Sequence, residues 1–455
     1  MITKPKGCHD LYGIEAKKWK YIEKVFDSLM EKYGYTYMRT PIFESSELFH
    51  RGVGEGTDIV TKETYDFKDR GDRNMTLRPE GTAGVVRSFI ENKLYAEPDP
   101  VKVYYTGTMY RYERPQSGRD REFTQIGVEV LNSDDPIVDA EVISIPVVLY
   151  KMLGLNGIKV KINSLGDKTS RDNYREALVK YFTPLIDGLC EDCHERLLKN
   201  PLRILDCKVD KESDILKNAP VTLDYLNLES KERFNKVKEY LEELDIDYVV
   251  DTSLVRGLDY YNHTVFEIEA SVEGFGANNV LGGGGRYNGL VNTLGGPSTP
   301  CMGFALGLGR LVQALDLEEV KLPVIDNTEV FVMYVSETEK KYALSLVQYL
   351  RANGFRVDTE YSGRGLKAQF KRADRLKSKY LIILNDEDLK NDEVKIKNNE
   401  TKEETLVGID YLVYYLDEVL TEEEALDYNF EEDDTCCNGE CKCGHEKCGG
   451  CHEEE

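Results

Sequence analysis

The stretch RYERPQSGRDREFTQIGVEVLN (residues 111–132) decides how the rest of the chain is read. Upstream of its loop, VKVYYTGTMYRYER (101–114) has the composition of a strand, and EFTQIGVEVLN (122–132) returns as a second one. Between them Pro115 to Arg121 is polar and contains Gly118, so the segment predicts an antiparallel hairpin with a long loop. Arg111, Glu113 and Arg114 approach the loop on the outgoing strand, and Arg119 and Arg121 lie in or beside it. On the returning strand Gln125, Gly127 and Glu129 share one face by period two. Gln, Gly and Glu give that face no apolar packing role. It is either the solvated side of an antiparallel sheet or the open floor of a ligand site. As a floor, Arg111 holds an anionic group, while Gln125 and Glu129 hold a small polar, partly cationic molecule. Gly127 leaves room for close approach.

Working outward, residues 15–33 place Trp19, Ile22, Val25, Phe26, Leu29 and Met30 on one stripe, which predicts a helix ended by Gly34. YTYMRTPIFE (35–44) alternates as a strand with Pro41 at an edge or bulge. TLRPEGTAGVVRSFIEN (76–92) reads as a strand end, a turn, and a helix capped by Thr82. Downstream, 137–155 is helical and 159–163 a strand, and 167–245 is a helix-rich polar insertion. Strands resume at DYVVD and HTVFEIEAS. GFGANNVLGGGGRYNGL follows, and MGFALGLGRLVQAL runs from strand into helix. The periodicity breaks at KLPVIDN (321–327), after which strands and helices alternate from EVFVMYV to YLIILN. The expectation is an α+β core on a mixed, mostly antiparallel sheet with a helical insertion (1–325), a C-terminal α/β domain (326–425), and a Cys-rich tail (426–455).

The 455 residues carry 59 basic and 83 acidic side chains, a net charge of −24, with 41% hydrophobic residues. That composition supports sizeable cores and excludes global disorder. The net charge excludes nucleic-acid binding through bulk basicity, although not through a local patch. From Thr421 onward thirteen acidic residues stand against two lysines, so the excess acidity is largely a property of the tail. Met1 to Leu11 has no apolar segment of the secretory kind. Val142 to Leu155, the most apolar run, is too short to span a bilayer. The expectation is a cytoplasmic chain whose eleven cysteines are reduced, so that paired spacings suggest metal before disulfide.

Three further features carry chemistry. Arg256 in LVRGLDYYNHTVFE (254–267) stands at a strand entrance with an aspartate and paired tyrosines. That is a polar turn, or a guanidinium fork for a transferring phosphoryl or adenylyl group. GGGGRYNGL (282–290) fits neither GxGxxG nor GxxxxGK[ST]. It is a flexible loop, or a sheet segment against which a ligand lies flat. Arg310 opens a helix after a Gly-rich strand.

Together these segments resemble the class II aminoacyl-tRNA synthetases, and among them the histidyl enzymes. Residues 111–132 are similar to motif 2 of that class, 302–311 (MGFALGLGRL) to motif 3, and the helix and strand ending at TPIFE to motif 1. LVRGLDYYNHTVFE and GGGRYNGL (283–290) resemble two peptides particular to the histidyl enzymes, and LRPEGT (77–82) resembles their amino-acid-binding turn. The resemblance runs from residue 1 to about 420. It implies a homodimeric ligase that activates L-histidine with ATP and Mg²⁺ and transfers it to tRNA(His). Arg111 would meet the α-phosphate, Glu113 the adenine, and Arg310 the γ-phosphate and adenine. Arg256 would neutralise the α-phosphate during attack. Glu80, Thr82 and Gln125 would hold the substrate ammonium. Glu129 and Tyr261 would read the imidazole, with Tyr260 and Tyr287 in the same pocket. Arg114 and Gln116 would meet the acceptor stem. The alternative is a regulatory histidine-binding subunit of ATP phosphoribosyltransferase, which keeps the core without catalysis. Retention of Arg111, Arg256, Arg310 and residues 326–420 favours the enzyme. One departure stands out: motif 3 usually has Glu where this chain has Gly309.

In the C-terminal domain, which resembles the anticodon-binding domain of these enzymes, Arg364, Lys367, Lys371 and Arg375 recur at i+3 and i+4. Such a face is a solvated surface or, beside a synthetase core, a tRNA contact. Cys190-x2-Cys193 with Cys207 has zinc-like spacing but no visible fourth ligand, so free thiols are favoured there. The tail crowds Cys436, Cys437, Cys441, Cys443, Cys448 and Cys451 with two histidines into 17 residues, a composition suited to Zn²⁺ or another soft metal.

Overall fold

The computed structural model describes the main chain of residues 1–428 except 55–56, 58, 115–118, 206, 208 and 276–278, with side chains as far as Thr421. Gln116 and the six tail cysteines lie outside the described residues. The chain divides into two compact units, Met1–Val324 and Ile325–Glu455.

In the first unit eight of the described strands form one sheet. Its order is Thr36–Tyr37, Val101–Tyr110, Glu122–Leu131, Cys301–Gly307, Val280–Arg286, Asn262–Ala270, Ile158–Ser164 and Tyr248–Val250. The two outermost pairings are parallel and the five between them antiparallel. This is the mixed, mostly antiparallel platform that the alternating runs imply. Between Ser164 and Tyr248 the described chain is helical or turn, so the insertion adds nothing to the sheet.

One face of the platform is covered by the helices Gly13–Lys32, Pro136–Met152, Leu228–Glu243 and Leu308–Leu317. Their fully buried Ile22, Phe26, Ile143, Leu149, Val237 and Leu311 pack on Ile126, Val128, Phe266 and Leu306 of the strands. That apolar layer leaves the opposite side of the central strands for polar work. A buried ion pair fixes the layers: Arg286, fully buried, donates to Asp139 at 2.5 Å and to the carbonyls of Ser133 and Asp135 at 2.8 Å. Asp139 also accepts from Thr264 at 2.6 Å, so both carboxylate oxygens are engaged.

Two expectations are corrected. YTYMRTPIFE is not one strand: Thr36–Tyr37 joins the large sheet, while Phe43–Ser45 joins a separate antiparallel sheet with Asn74–Leu77 and Tyr65–Lys68. Pro41 has no amide to donate, and the chain changes sheets around it. Thr82 does not cap the helix Thr82–Glu91. Glu80 does, accepting from the amides of Thr82 and Ala83 at 2.7 and 2.8 Å, and the Thr82 hydroxyl turns inward instead.

The second unit is a five-stranded sheet in the order Val357–Thr359, Val330–Tyr334, Tyr380–Leu384, Glu393–Asn398, Glu404–Gly408. The first three strands are parallel and the hairpin that ends the sheet is antiparallel. The helices Glu337–Ala352 and Leu366–Arg375 are the crossovers, the first opened by a capping box between Ser336 and Glu339.

Candidate active site

The polar side of the central strands opens into a cavity of about 610 Å³. Its walls include Glu80, Thr82, Arg111, Glu113, Gln125, Arg256, Tyr260, Tyr261 and Arg310, which the sequence had left scattered over 231 positions. Glu129 and Tyr287 are not on that wall. They sit one layer beneath it, buried behind Thr82 and Tyr260.

The hairpin Val101–Tyr110 to Glu122–Leu131 positions the first arginine. Arg111 follows the last paired residue, and its Nε donates to the Pro79 carbonyl at 2.9 Å while its guanidinium lies over the Phe123 ring. Glu113 accepts from Arg119 at 3.1 Å and lies close enough to Arg310 for its charge to act on that guanidinium. Arg310 sits over the Phe275 ring; burial and the neighbouring Arg119 push it below the ordinary arginine value, opposed by Glu113. Glu113, Arg119 and Arg310 therefore face one space. Arg119 is the site residue whose role the sequence left open; its place inside the loop was the available signal.

Arg256 closes the cavity from the other side. It is bonded to Glu267, its guanidinium lies 5.7 Å from the Tyr261 ring centroid, and it leans on Gly283. Burial would depress its pKa, yet the Glu267 charge beside it holds it above the ordinary arginine value. The GGGG run is thus no flexible loop but the central strand Val280–Arg286. A Cβ on Gly283 would come within 2.3 Å of the Phe266 carbonyl and 2.9 Å of the Arg256 guanidinium, so glycine alone lets strand and arginine meet.

The inner pocket is a network of hydroxyls around one carboxyl. Glu129 accepts from Thr82 at 2.7 Å, from Tyr287 at 2.6 Å and from Tyr105 at 3.5 Å. Burial pushes its pKa up to about 8, and these hydroxyls act against that rise. Burial also raises Glu80, whose two helix amides pull the other way. The Gln125 side-chain oxygen is buried with no hydrogen-bond partner in the structure, on a residue that lines the cavity. Gly127 does have a packing duty: a Cβ there would strike the Phe304 carbonyl and the Tyr105 ring at 2.6 Å.

Trp19, the one tryptophan of the chain, reaches the cavity edge from the first helix. A Cβ on Gly309 would touch its ring at 3.5 Å, so the missing motif 3 side chain leaves a place that the indole covers. Arg114 is exposed beside the loop. In the second unit Lys367, Lys371 and Arg375 are exposed on one face of Leu366–Arg375, and none is in an ion pair among the described residues. Arg364 is not on that helix; it precedes the Gly365 N-cap, and its carbonyl accepts from Gln369 at 2.8 Å.

An arginine carried on an antiparallel hairpin, with a second opening the helix after a neighbouring strand, places this chain among the class II aminoacyl-tRNA synthetases, which are ligases. Residues 7–311 match the model of the histidyl-tRNA synthetase family, and residues 329–419 match the anticodon binding domain. The chain is 53% identical over 421 residues to the histidine–tRNA ligase of Geobacillus kaustophilus, covering 92% of this chain and 99% of that protein. It is 49% identical over 413 residues to that of Bacillus subtilis, covering 90% and 97%. The crystal structure of apo Staphylococcus aureus histidyl-tRNA synthetase superposes with a TM-score of 0.79 at 43% identity, covering 91% of this chain and all of that one. The chain belongs to the histidyl-tRNA synthetase family.

Proposed function

We propose that the cavity joins L-histidine to ATP as histidyl-adenylate, and that the chain then transfers the histidyl group to tRNA(His). The observation that carries this is the convergence of Arg111, Arg256 and Arg310 on one cavity whose inner end is lined by Thr82, Gln125 and Tyr261.

In the first step a histidine carboxylate oxygen attacks the α-phosphorus and pyrophosphate leaves. Two anions must be brought together, so the barrier is set by charge neutralisation and alignment. Arg111 and Arg256 flank the α-phosphate, and Arg310 with Glu113 holds the γ-phosphate and adenine end. Mg²⁺ bound with ATP would supply further neutralisation. Glu113 and Glu122 in the lining would hold this ion through their carboxylate oxygens. Glu80, Thr82 and Gln125 take the ammonium, and the buried Gln125 oxygen is the acceptor ready for it. Tyr261 reads the imidazole from the wall, and Glu129 with Tyr287, one layer beneath, acts on it through Thr82 and Tyr260. A pocket built to pair both ring nitrogens rejects analogues lacking them by a factor on the order of 10⁴.

For tRNA, Arg114 and Gln116 meet the acceptor end, and Arg364, Lys367, Lys371 and Arg375 offer phosphate contacts. The chain works as a homodimer paired through its N-terminal segment, where Tyr37, Ile42, Phe43 and Phe67 are exposed. It acts in the cytoplasm; no described helix is long and apolar enough to cross a membrane. The domains divide at 1–325, 326–425 and 426–455, and the tail cysteines hold a soft metal such as Zn²⁺. Pyrophosphate exchange measured with each of the twenty amino acids tests the central claim: histidine dominates, and dominance by any other amino acid overturns it.

A further inference from the structure

Away from the cavity, the insertion gathers Cys190, Cys193, Cys207 and Asp210 so that one ligand atom of each lies within 4.8 Å of the others. Cys190 precedes the helix Glu191–Lys199 as its N-cap, and the Cys193 amide donates to the Cys190 carbonyl at 2.9 Å, a tight turn that brings both sulfurs to one side. Cys207 returns after the turn Pro201–Ile204, its amide on the Ile204 carbonyl at 3.0 Å. Asp210 then supplies the fourth ligand that the cysteine spacing lacks. Its Oδ2 accepts from the Cys190 amide at 3.0 Å and lies 3.3 Å from the sulfurs of both Cys193 and Cys207.

These separations are those of a coordination shell. A tetrahedral site with metal–sulfur bonds of ~2.3 Å and a metal–oxygen bond of ~2.0 Å has sulfur–sulfur edges of about 3.8 Å and sulfur–oxygen edges of about 3.5 Å. The Cys190 and Cys207 sulfurs are 3.6 Å apart, near that edge and far from the ~2.05 Å of a disulfide. The surroundings are those of a closed site: Tyr174, Leu178, Phe182 and Ile204 are buried in the same cluster as Cys193 and Cys207. Three sulfurs and one carboxylate at such edges select a soft, tetrahedral divalent ion.

We propose that Cys190, Cys193, Cys207 and Asp210 bind one zinc ion as a structural site in the insertion. The site has a mechanical consequence, which rests on the proposed role of Arg256. Between its second and third ligands lie Asn200 and Arg203. Asn200 donates to Asp259 at 3.2 Å, and Arg203 donates to the Gly257 carbonyl at 2.6 Å. Zinc therefore anchors the turn that holds the backbone next to Arg256, a positioning function at a distance from the reacting atoms.

The test uses the full chain with its six tail cysteines changed to serine, so that among the remaining five thiols only those of the insertion are clustered, Cys8 and Cys301 standing alone. Zinc measured by mass spectrometry after dialysis is expected at one ion per chain, and is expected to vanish with Cys193→Ser or Cys207→Ser. Cobalt in place of zinc should give thiolate charge-transfer bands and tetrahedral ligand-field bands. Asp210→Cys keeps the ion and strengthens the charge-transfer band by about a third, as three sulfurs become four, so the test does not hang on variants that fail to fold. A tail variant that is metal-free after zinc loading, or a cobalt spectrum unchanged by Asp210→Cys, overturns the site. If the site stands but zinc removal leaves histidine-dependent exchange unchanged, the positioning consequence alone fails.

Discussion

Replacing Arg256 separates charge stabilisation from mere pocket architecture. A guanidinium about 4 Å from the α-phosphate is worth ~4 kcal/mol at an effective dielectric of 20. Glu267, bonded to the other side of the same group, takes part of that back and leaves about 3 kcal/mol, the size found for preorganised charge-stabilising donors. That is roughly 150-fold in rate. Arg256→Ala should therefore lower kcat for histidine-dependent ATP–pyrophosphate exchange by about that factor, with a smaller change in the KM for histidine, since Thr82 and Gln125 are untouched. Arg256→Lys should fall between, because an ammonium keeps the charge but loses the fork and the stacking over Tyr261. Breaking the pair leaves Glu267 in a partly buried place, so thermal unfolding must accompany the kinetics. A folded Arg256→Ala protein whose exchange rate stays within about threefold of the parent refutes the reasoning, since ~3 kcal/mol cannot hide in that margin.

Gly283→Ala should lower the melting temperature sharply and abolish exchange, because its Cβ has no space, whereas Gly289→Ala, with nothing within 4 Å, should melt with the parent. Glu129 has a folded pKa of about 8, above the ordinary carboxyl value, so the stability of its protonated form is complete below pH ~4 and is lost as pH rises towards 8. Denaturant titrations should show about 2 kcal/mol of this loss between pH 6 and 8, and Glu129→Gln should remove it. Changing Lys367, Lys371 and Arg375 together to Glu should raise the KM for tRNA and reduce its salt dependence by nearly three units of slope, while leaving pyrophosphate exchange alone. Removing residues 431–455 should lower the zinc content of the chain; equal zinc in both forms refutes a metal-binding tail.

The hairpin at 101–132 was legible to within a few residues because strand periodicity and loop polarity are both local signals. What failed was non-local. Nothing in TPIFE announces that one extended run is shared between two sheets, since a partner strand is chosen by packing. Thr82 looked like a cap because threonine usually is one. Glu80 won because its carboxylate reaches two amides, which freed the hydroxyl for Glu129. The strands Glu393–Asn398 and Glu404–Gly408 were hidden by charge, although Val394 and Ile396 alternate with Lys395 and Lys397 as on a sheet with one buried face. Asp210 is not legible in the sequence, because a lone aspartate three residues after a cysteine carries no metal signal until the fold closes. The pairing of Arg286 with Asp139, separated by 147 positions, has no sequence signature at all.

The indole over Gly309 has a practical meaning. With a single tryptophan among 29 tyrosines and 15 phenylalanines, light absorbed beyond the tyrosine band excites one residue only, and that residue borders the cavity in which we propose the nucleotide binds. If the nucleotide binds there, the parent chain carries, without label or engineered probe, an optical gauge of its occupancy, whose emission would time the arrival of ATP separately from the chemistry that follows.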